Sequence, residues 1–248
     1  MIGSPLWRIL NYGLIPAFKY FSTYRLSPKS SNKSSETINF LDFARMIEDA
    51  DHNSESKSRK AVISMMQSMR SQVASDLGKN KIKSVLEFDS SISRLILLEL
   101  AIRSNKFKTY IETGTQHGLS AYVAGETSQR YSPGMTITSF DVSHDQYIIK
   151  SSGAEYFCLS WPVRRNFMKQ TLRHRIEPLL FFHDSDHSYE NMFFEFNWAW
   201  NQLNAAAIIS DDVDSNDAFF DFCESSKVKG YRVMIDDGPA VGFVIRDS

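Results

Sequence analysis

The stretch Tyr110-Ile-Glu-Thr-Gly-Thr-Gln-His-Gly-Leu-Ser120 decides the fold of this 248-residue chain. Phe107-Lys-Thr-Tyr-Ile111 alternates into a short strand and Leu119 to Gly125 carries helical spacing, so the stretch ends a strand and opens a helix. Gly114 and Gly118 permit a tight turn where backbone must approach a ligand. The first N–H groups of the helix lack intrahelical partners and stay exposed at its start. Such a loop suits a nucleotide-type cofactor.

Glu112 separates the loop from a dinucleotide site. A Gly-x-Gly-x-x-Gly loop leaves its helix start open to a pyrophosphate, whereas a carboxylate at the strand end suits a cationic amine. The pattern Glu-x-Gly-x-x-x-Gly-x-Ser over residues 112–120 resembles the first motif of class I S-adenosylmethionine-dependent methyltransferases. An ordinary glycine-containing turn reads the same way in isolation, so the residues downstream decide.

Outward from the loop, Leu95 to Ile102 reads as a helix, as do residues 38–50 and 58–77, whose Met65, Met66, Met69 and Val73 recur at core spacing. From Lys106 strands and helices alternate, the pattern of a mostly parallel sheet covered on both faces. Strands are expected at 107–112, 136–141, 155–160, 178–183, 206–211, 230–236 and 240–246. The last two flank Asp236-Asp-Gly-Pro239, a hairpin turn signal. The expected fold is α/β and Rossmann-like: a seven-stranded, mostly parallel sheet with a C-terminal antiparallel hairpin and an N-terminal helical extension.

Residues 1–35 form a separate segment, ending in the polar linker Ser27 to Ser35, with the main domain at 36–248 and its core at about 85–248. Residues 6–26 are aromatic and basic, but Gly13, Pro16 and the charges Arg8, Lys19 and Arg25 break any run able to span a bilayer. They read as a helix packing on the domain or on a second copy in a homodimer, or as a segment lying on a membrane surface. Lys and Arg number 28 against 29 Asp and Glu, which leaves no field to recruit nucleic acid. Two cysteines, Cys158 and Cys223, offer neither a disulfide framework nor a zinc knuckle and fit a cytoplasmic location.

Four strand ends carry the chemistry. Thr136 to Asp141 ends in an acid suited to ribose hydroxyls, although a turn or helix-cap aspartate looks the same. Tyr156 to Trp161 places Ser160 and Trp161 where an adenine could lie, or where a tryptophan simply fills core. Leu180-Phe-Phe-His-Asp-Ser-Asp-His-Ser-Tyr189 delivers Asp184, Asp186 and His187, and Ala206 to Ser210 delivers Asp211 and Asp212. Carboxylates converging on one rim repel unless a cation neutralises them or one is protonated. Oxygen-only ligation favours a hard divalent ion such as magnesium. The competing reading has these acids capping helices or pairing with Arg and Lys. A zinc grip by His183 and His187 is rejected, because they straddle a strand end rather than share a helix.

Asp184-Ser-Asp-His-Ser-Tyr189 followed by Asp211-Asp212 is similar to the metal-dependent O-methyltransferases and the cephalosporin-hydroxylase-like branch beside them. The resemblance covers about residues 85–248. It implies that Glu112, Gly114 and Ser120 contact the methionine part of S-adenosylmethionine, with Thr115 and Gly118 completing the loop. It further implies Asp141 on the ribose, Ser160 and Trp161 by the adenine, and Asp184 beside the cofactor. Asp184, Asp211 and Asp212 would hold magnesium and His187 would act as base toward a hydroxyl of a small molecule or sugar. Asn204-Ala-Ala-Ala207 stands where relatives have Pro-Gly-Gly, and His183 where they are apolar. A metal-independent methyltransferase, a non-catalytic membrane- or partner-binding module on the same fold, and a glycosyltransferase using Asp184-Ser-Asp186 are the alternatives.

Overall fold

The computed structural model describes residues 36–47, 54–78, 92–104, 107–143, 148–151, 153–234 and 240–246. The aromatic segment at 6–26, the linker and the turn at 236–239 lie outside them. In chain order the elements are β1 (Glu36–Asn39), α1 (Phe40–Ile47), α2 (Ser54–Leu77), α3 (Ser93–Ser104), β2 (Thr109–Thr113), α4 (Leu119–Tyr131), β3 (Thr136–Asp141), β4 (Ala154–Cys158), α5 (Val163–His174), β5 (Leu179–His183), α6 (Tyr189–Asn201), β6 (Ala207–Ser210), α7 (Ala218–Ser226), β7 (Gly230–Met234) and β8 (Val241–Ile245).

The strands form one sheet in the order β1-β7-β8-β6-β5-β2-β3-β4. Pairing is parallel except where β8 runs antiparallel to both β6 and β7. The sheet is therefore Rossmann-like with an antiparallel C-terminal strand, as expected, but it has eight strands among the described residues rather than seven. The additional strand is β1, which the helical spacing of residues 38–50 concealed. Ile38 is its one buried side chain, and it pairs with the edge that β7 would otherwise leave open. Lys229 adds an ion pair to Glu36 at 2.7 Å across that edge.

The central strands are buried on both faces, and their side chains alternate between two cores. Tyr110, Leu180, Phe182, Ala207 and Ile209 pack with α1 to α4 on one face. Ile111, Leu179, Phe181 and Ile208 pack with α5 to α7 on the other. Helix α3 is the innermost: every residue from Leu95 to Ile102 is buried. Its register is thereby held, which matters for Arg94 at its start. Asn204, in the turn that departs from Pro-Gly-Gly, takes a left-handed φ of 52°, and the Ala206 N–H donates to the Leu179 carbonyl at 2.8 Å. Asparagine tolerates that conformation, so the turn closes without glycine. No helix among the described residues is long and apolar enough to cross a membrane.

Candidate active site at the carboxyl rim of the sheet

The parallel strands β2, β3, β5 and β6 all end on the same rim, and their ladders continue past the strands. Asp184 N–H donates to the Thr113 carbonyl at 3.0 Å, Asp211 N–H to the His183 carbonyl at 3.0 Å, and Gly114 N–H to the Phe140 carbonyl at 2.8 Å. The acids and the glycine loop are thus held by backbone at neighbouring strand ends.

Gly114 (φ 90°) and Gly118 (φ 75°) adopt left-handed backbone, and Gly118 caps the start of α4 without any side-chain hydrogen bond. Thr115 is buried and its hydroxyl lies 2.5 Å from that of Ser139. Glu112 is fully buried, and its two oxygens accept from the Tyr110 and Ser139 hydroxyls, each at 2.5 Å. Burial raises its carboxyl above the ordinary value, against the downward pull of the Ser139, Tyr110 and Ser120 hydroxyls and the Arg94 charge. A cation beside Glu112 would reverse the effect of burial.

Asp141 accepts from the Gln116 N–H at 2.9 Å, and from the Val142 and Ser143 N–H groups at 2.6 and 3.3 Å. It ties the glycine loop to the exit of β3 and stays partly exposed. Leu159 N–H donates to the Asp141 carbonyl, which brings the exit of β4 alongside. There Ser160 accepts from Asn166 through its carbonyl and its hydroxyl. Trp161 is 67% exposed, so the core-filling reading of this residue fails.

Arg94 organises the acid pair. One terminal nitrogen of its guanidinium donates to Asp211 Oδ2, and the other lies 3.5 Å from Asp184 Oδ2. Asp212 follows in a left-handed conformation (φ 49°), and burial, then the charge of Asp211, raises its carboxyl. Asp186 stands apart and accepts from the Ser188 N–H and hydroxyl at the start of α6. It closes a local turn ahead of α6 and does not cap the helix, whose N-cap is Ser188. Among the described residues no three His, Cys, Asp or Glu side chains converge closely enough to hold a metal ion.

His187 has its backbone carbonyl held by Asn216 at 2.9 Å, and its Nε2 lies 3.9 Å from Asp184 Oδ1. That nitrogen is buried without a hydrogen-bond partner. Burial, and next the neighbouring His183, lowers its pKa to about 4, so the imidazole is neutral near pH 7. Behind it, fully buried His183 places Nδ1 2.8 Å from Glu195 Oε2, and the Thr113 hydroxyl donates to the same oxygen at 2.6 Å. Asn191 and Ser185 reach Glu195 Oε1, each at 3.1 Å. Burial alone would raise the Glu195 carboxyl, but these donors outweigh it and hold it below its ordinary value. Neither Arg94 nor Glu195 is evident from sequence. The one available signal is an acid amid Met192, Phe193, Phe194 and Phe196 on an apolar helix.

Residues 111–213 match the family described as methyltransferase domain. No curated protein matches the chain. An O-methyltransferase from Bacillus cereus, solved with SAH, is similar at TM-score 0.47 and 15% identity over 72% of this chain and 97% of its own. The O-methyltransferase TomG from Streptomyces achromogenes, solved with SAM and involved in tomaymycin synthesis, has TM-score 0.51 and 14% identity over 73% of this chain and 96% of its own. The cmcI protein, solved with Mg and SAM, has TM-score 0.40 and 16% identity over 52% of this chain and 53% of its own. Over residues 111–213 the chain is similar to a methyltransferase domain, and the likeness to TomG lies in the fold, an α/β Rossmann-like sheet with an antiparallel C-terminal strand.

Proposed function

We propose that the chain transfers a methyl group from S-adenosylmethionine to a hydroxyl of a small molecule or sugar. The observation that carries this reading is the meeting, on one rim, of the glycine loop, Glu112, Asp141 and the neutral, unpartnered His187 nitrogen beside Asp184. The donor set fits the cofactor: a buried carboxylate for its amine, an acid for ribose hydroxyls, an uncapped helix start, and an exposed indole for the adenine face. When bound, the cofactor supplies an electrophilic methyl.

The chain's own part is positioning and proton removal. Glu112, Gly114, Thr115, Gly118 and Ser120 fix one end of the cofactor, Asp141 its ribose, and Ser160 and Trp161 its base, with Asp184 at the inner edge. His187 Nε2 is placed to accept the hydroxyl proton; burial lowers its basicity, and the Asp211 and Glu195 charges, which favour the imidazolium, offset part of that loss. The magnesium expected at Asp184, Asp211 and Asp212 does not fit the rim as it stands, because the Arg94 guanidinium already occupies the position between the first two acids. No step is routed through a metal. A cytoplasmic site and an acceptor other than nucleic acid complete the proposal, from the reduced cysteines and the balanced charge.

Calorimetric titration of S-adenosylhomocysteine, then transfer of labelled methyl to a panel of hydroxylated acceptors, tests the reading. Replacing His187 by Ala should leave cofactor binding intact and lower turnover by roughly 10²–10⁴-fold. Absence of binding by the intact chain would remove the proposal.

A further inference from the structure

We infer that Arg94 is the built-in cation of this rim: its guanidinium takes the place between Asp184 and Asp211 that a divalent metal would otherwise fill. The consequence for turnover, that methyl transfer proceeds without a metal, rests on the function proposed above. The cation assignment itself does not.

Two carboxylates at adjacent strand ends require a counter-charge. Their backbones are locked into the sheet ladders by the Asp184 to Thr113 and Asp211 to His183 hydrogen bonds, so they cannot swing apart. Arg94 meets them with two different nitrogens, and the fork of a guanidinium matches that task whereas a single ammonium does not. The arginine side chain is 12% exposed, and it leaves the second residue of a helix whose next eight residues are buried. It is therefore held in place rather than draped over the site. A guanidinium does not lose its proton in a protein, so this charge is permanent at every working pH. A divalent ion arriving at the same carboxylates would face a positive charge a few ångströms away. Among the described carboxylate oxygens of this rim, Asp211 Oδ1 is buried without a hydrogen-bond partner.

The test is a manganese titration of the full chain followed by electron paramagnetic resonance of the free aqua ion, run with and without S-adenosylhomocysteine. Wild type should show no saturable manganese site up to about 1 mM, the weak end of the range for hard-ion protein sites. R94M should gain one site, with affinity rising at least about tenfold, because the carboxylates lose their counter-charge. R94K, which keeps the charge, should not gain it. Saturable binding by wild type that D211N removes would overturn the assignment, and so would an R94M protein that melts normally and gains nothing. The wild-type and R94K titrations decide the matter even if R94M does not fold. If manganese behaves as expected while S-adenosylhomocysteine fails to bind, the functional proposal falls and the Arg94 assignment stands.

Discussion

The α-carbon of Gly114 presses against the backbone of Asp184: a methyl group added at Gly114 would sit 1.9 Å from the Asp184 carbonyl oxygen. The contact joins the loop after β2 to the acid after β5, and neither backbone can yield without breaking a ladder hydrogen bond. Gly114 also has φ of 90°, which an L side chain rarely adopts. Gly114→Ala should therefore cost about 1–3 kcal/mol from conformation alone, with the clash added. Thermal melting should show the loss, and S-adenosylhomocysteine titration should show weaker binding than any change at Gly134, where added bulk meets nothing within 4 Å.

Glu195 carries a pH signature. Its folded carboxyl lies below the ordinary 4.5 because donors from His183, Thr113 and Asn191 outweigh the upward push of burial. A depressed carboxylate contributes stability that is complete above the unfolded value and is lost as pH falls through the folded one. Urea midpoints should thus be flat above about pH 5 and fall in acid, more steeply than in Glu195→Ala. Near pH 7 that substitution should cost roughly 3–5 kcal/mol, since it strands buried donors on three elements. An unchanged midpoint at neutral pH would mean that the network is not holding β2, β5 and α6 together.

The fold was legible wherever one periodicity dominated. Phe107 to Ile111 and the buried run Leu179 to Phe182 announce strands, because sheet faces impose alternation or continuous burial on them. Strand β1 was not legible: Glu36-Thr-Ile-Asn39 buries only Ile38, and what makes it a strand is the open edge of β7, some 195 residues away in the chain. The rim shows the same division. Gly114, Asp141, Asp184 and Asp211 could be named because topology puts strand ends of a parallel sheet together. Arg94 could not, because a single arginine in a helix carries no pattern, and its partner Asp211 lies 117 residues further on. From sequence, magnesium is the expected counter-charge and pairing with Arg or Lys the alternative, because no pattern singles out Arg94.

Trp161 separates binding from stability. Two-thirds of its surface is exposed beside the exit of β4, so Trp161→Ala should move the melting free energy by no more than about 0.5 kcal/mol. If the indole stacks on adenine, the same change should weaken S-adenosylhomocysteine binding by about 1–3 kcal/mol. Calorimetry and melting on one preparation give both values. Unaltered affinity would place the adenine elsewhere on the rim.

Glu112 should link cofactor binding to pH, with a sign opposite to that of Glu195. Burial lifts its carboxyl in the free protein, so the protonated form stabilises the fold below the ordinary 4.5 and that contribution is lost as pH rises through the folded value. A cationic amine seated against Glu112 favours the carboxylate, so binding must release the proton that the free protein still holds. Affinity for S-adenosylhomocysteine should consequently rise with pH, by at most about tenfold per pH unit for one proton, and level off once Glu112 is ionised in the free chain. In Glu112→Gln the slope should vanish and the affinity should be lower throughout, while one of the Tyr110 and Ser139 hydroxyls keeps an acceptor and the other must turn to accept from the new amide. Titrations in two buffers of different ionisation enthalpy count the released proton directly. A wild-type count of zero across the acidic range would show that the amine is not held by Glu112, whatever else the loop from Gly114 to Gly118 binds.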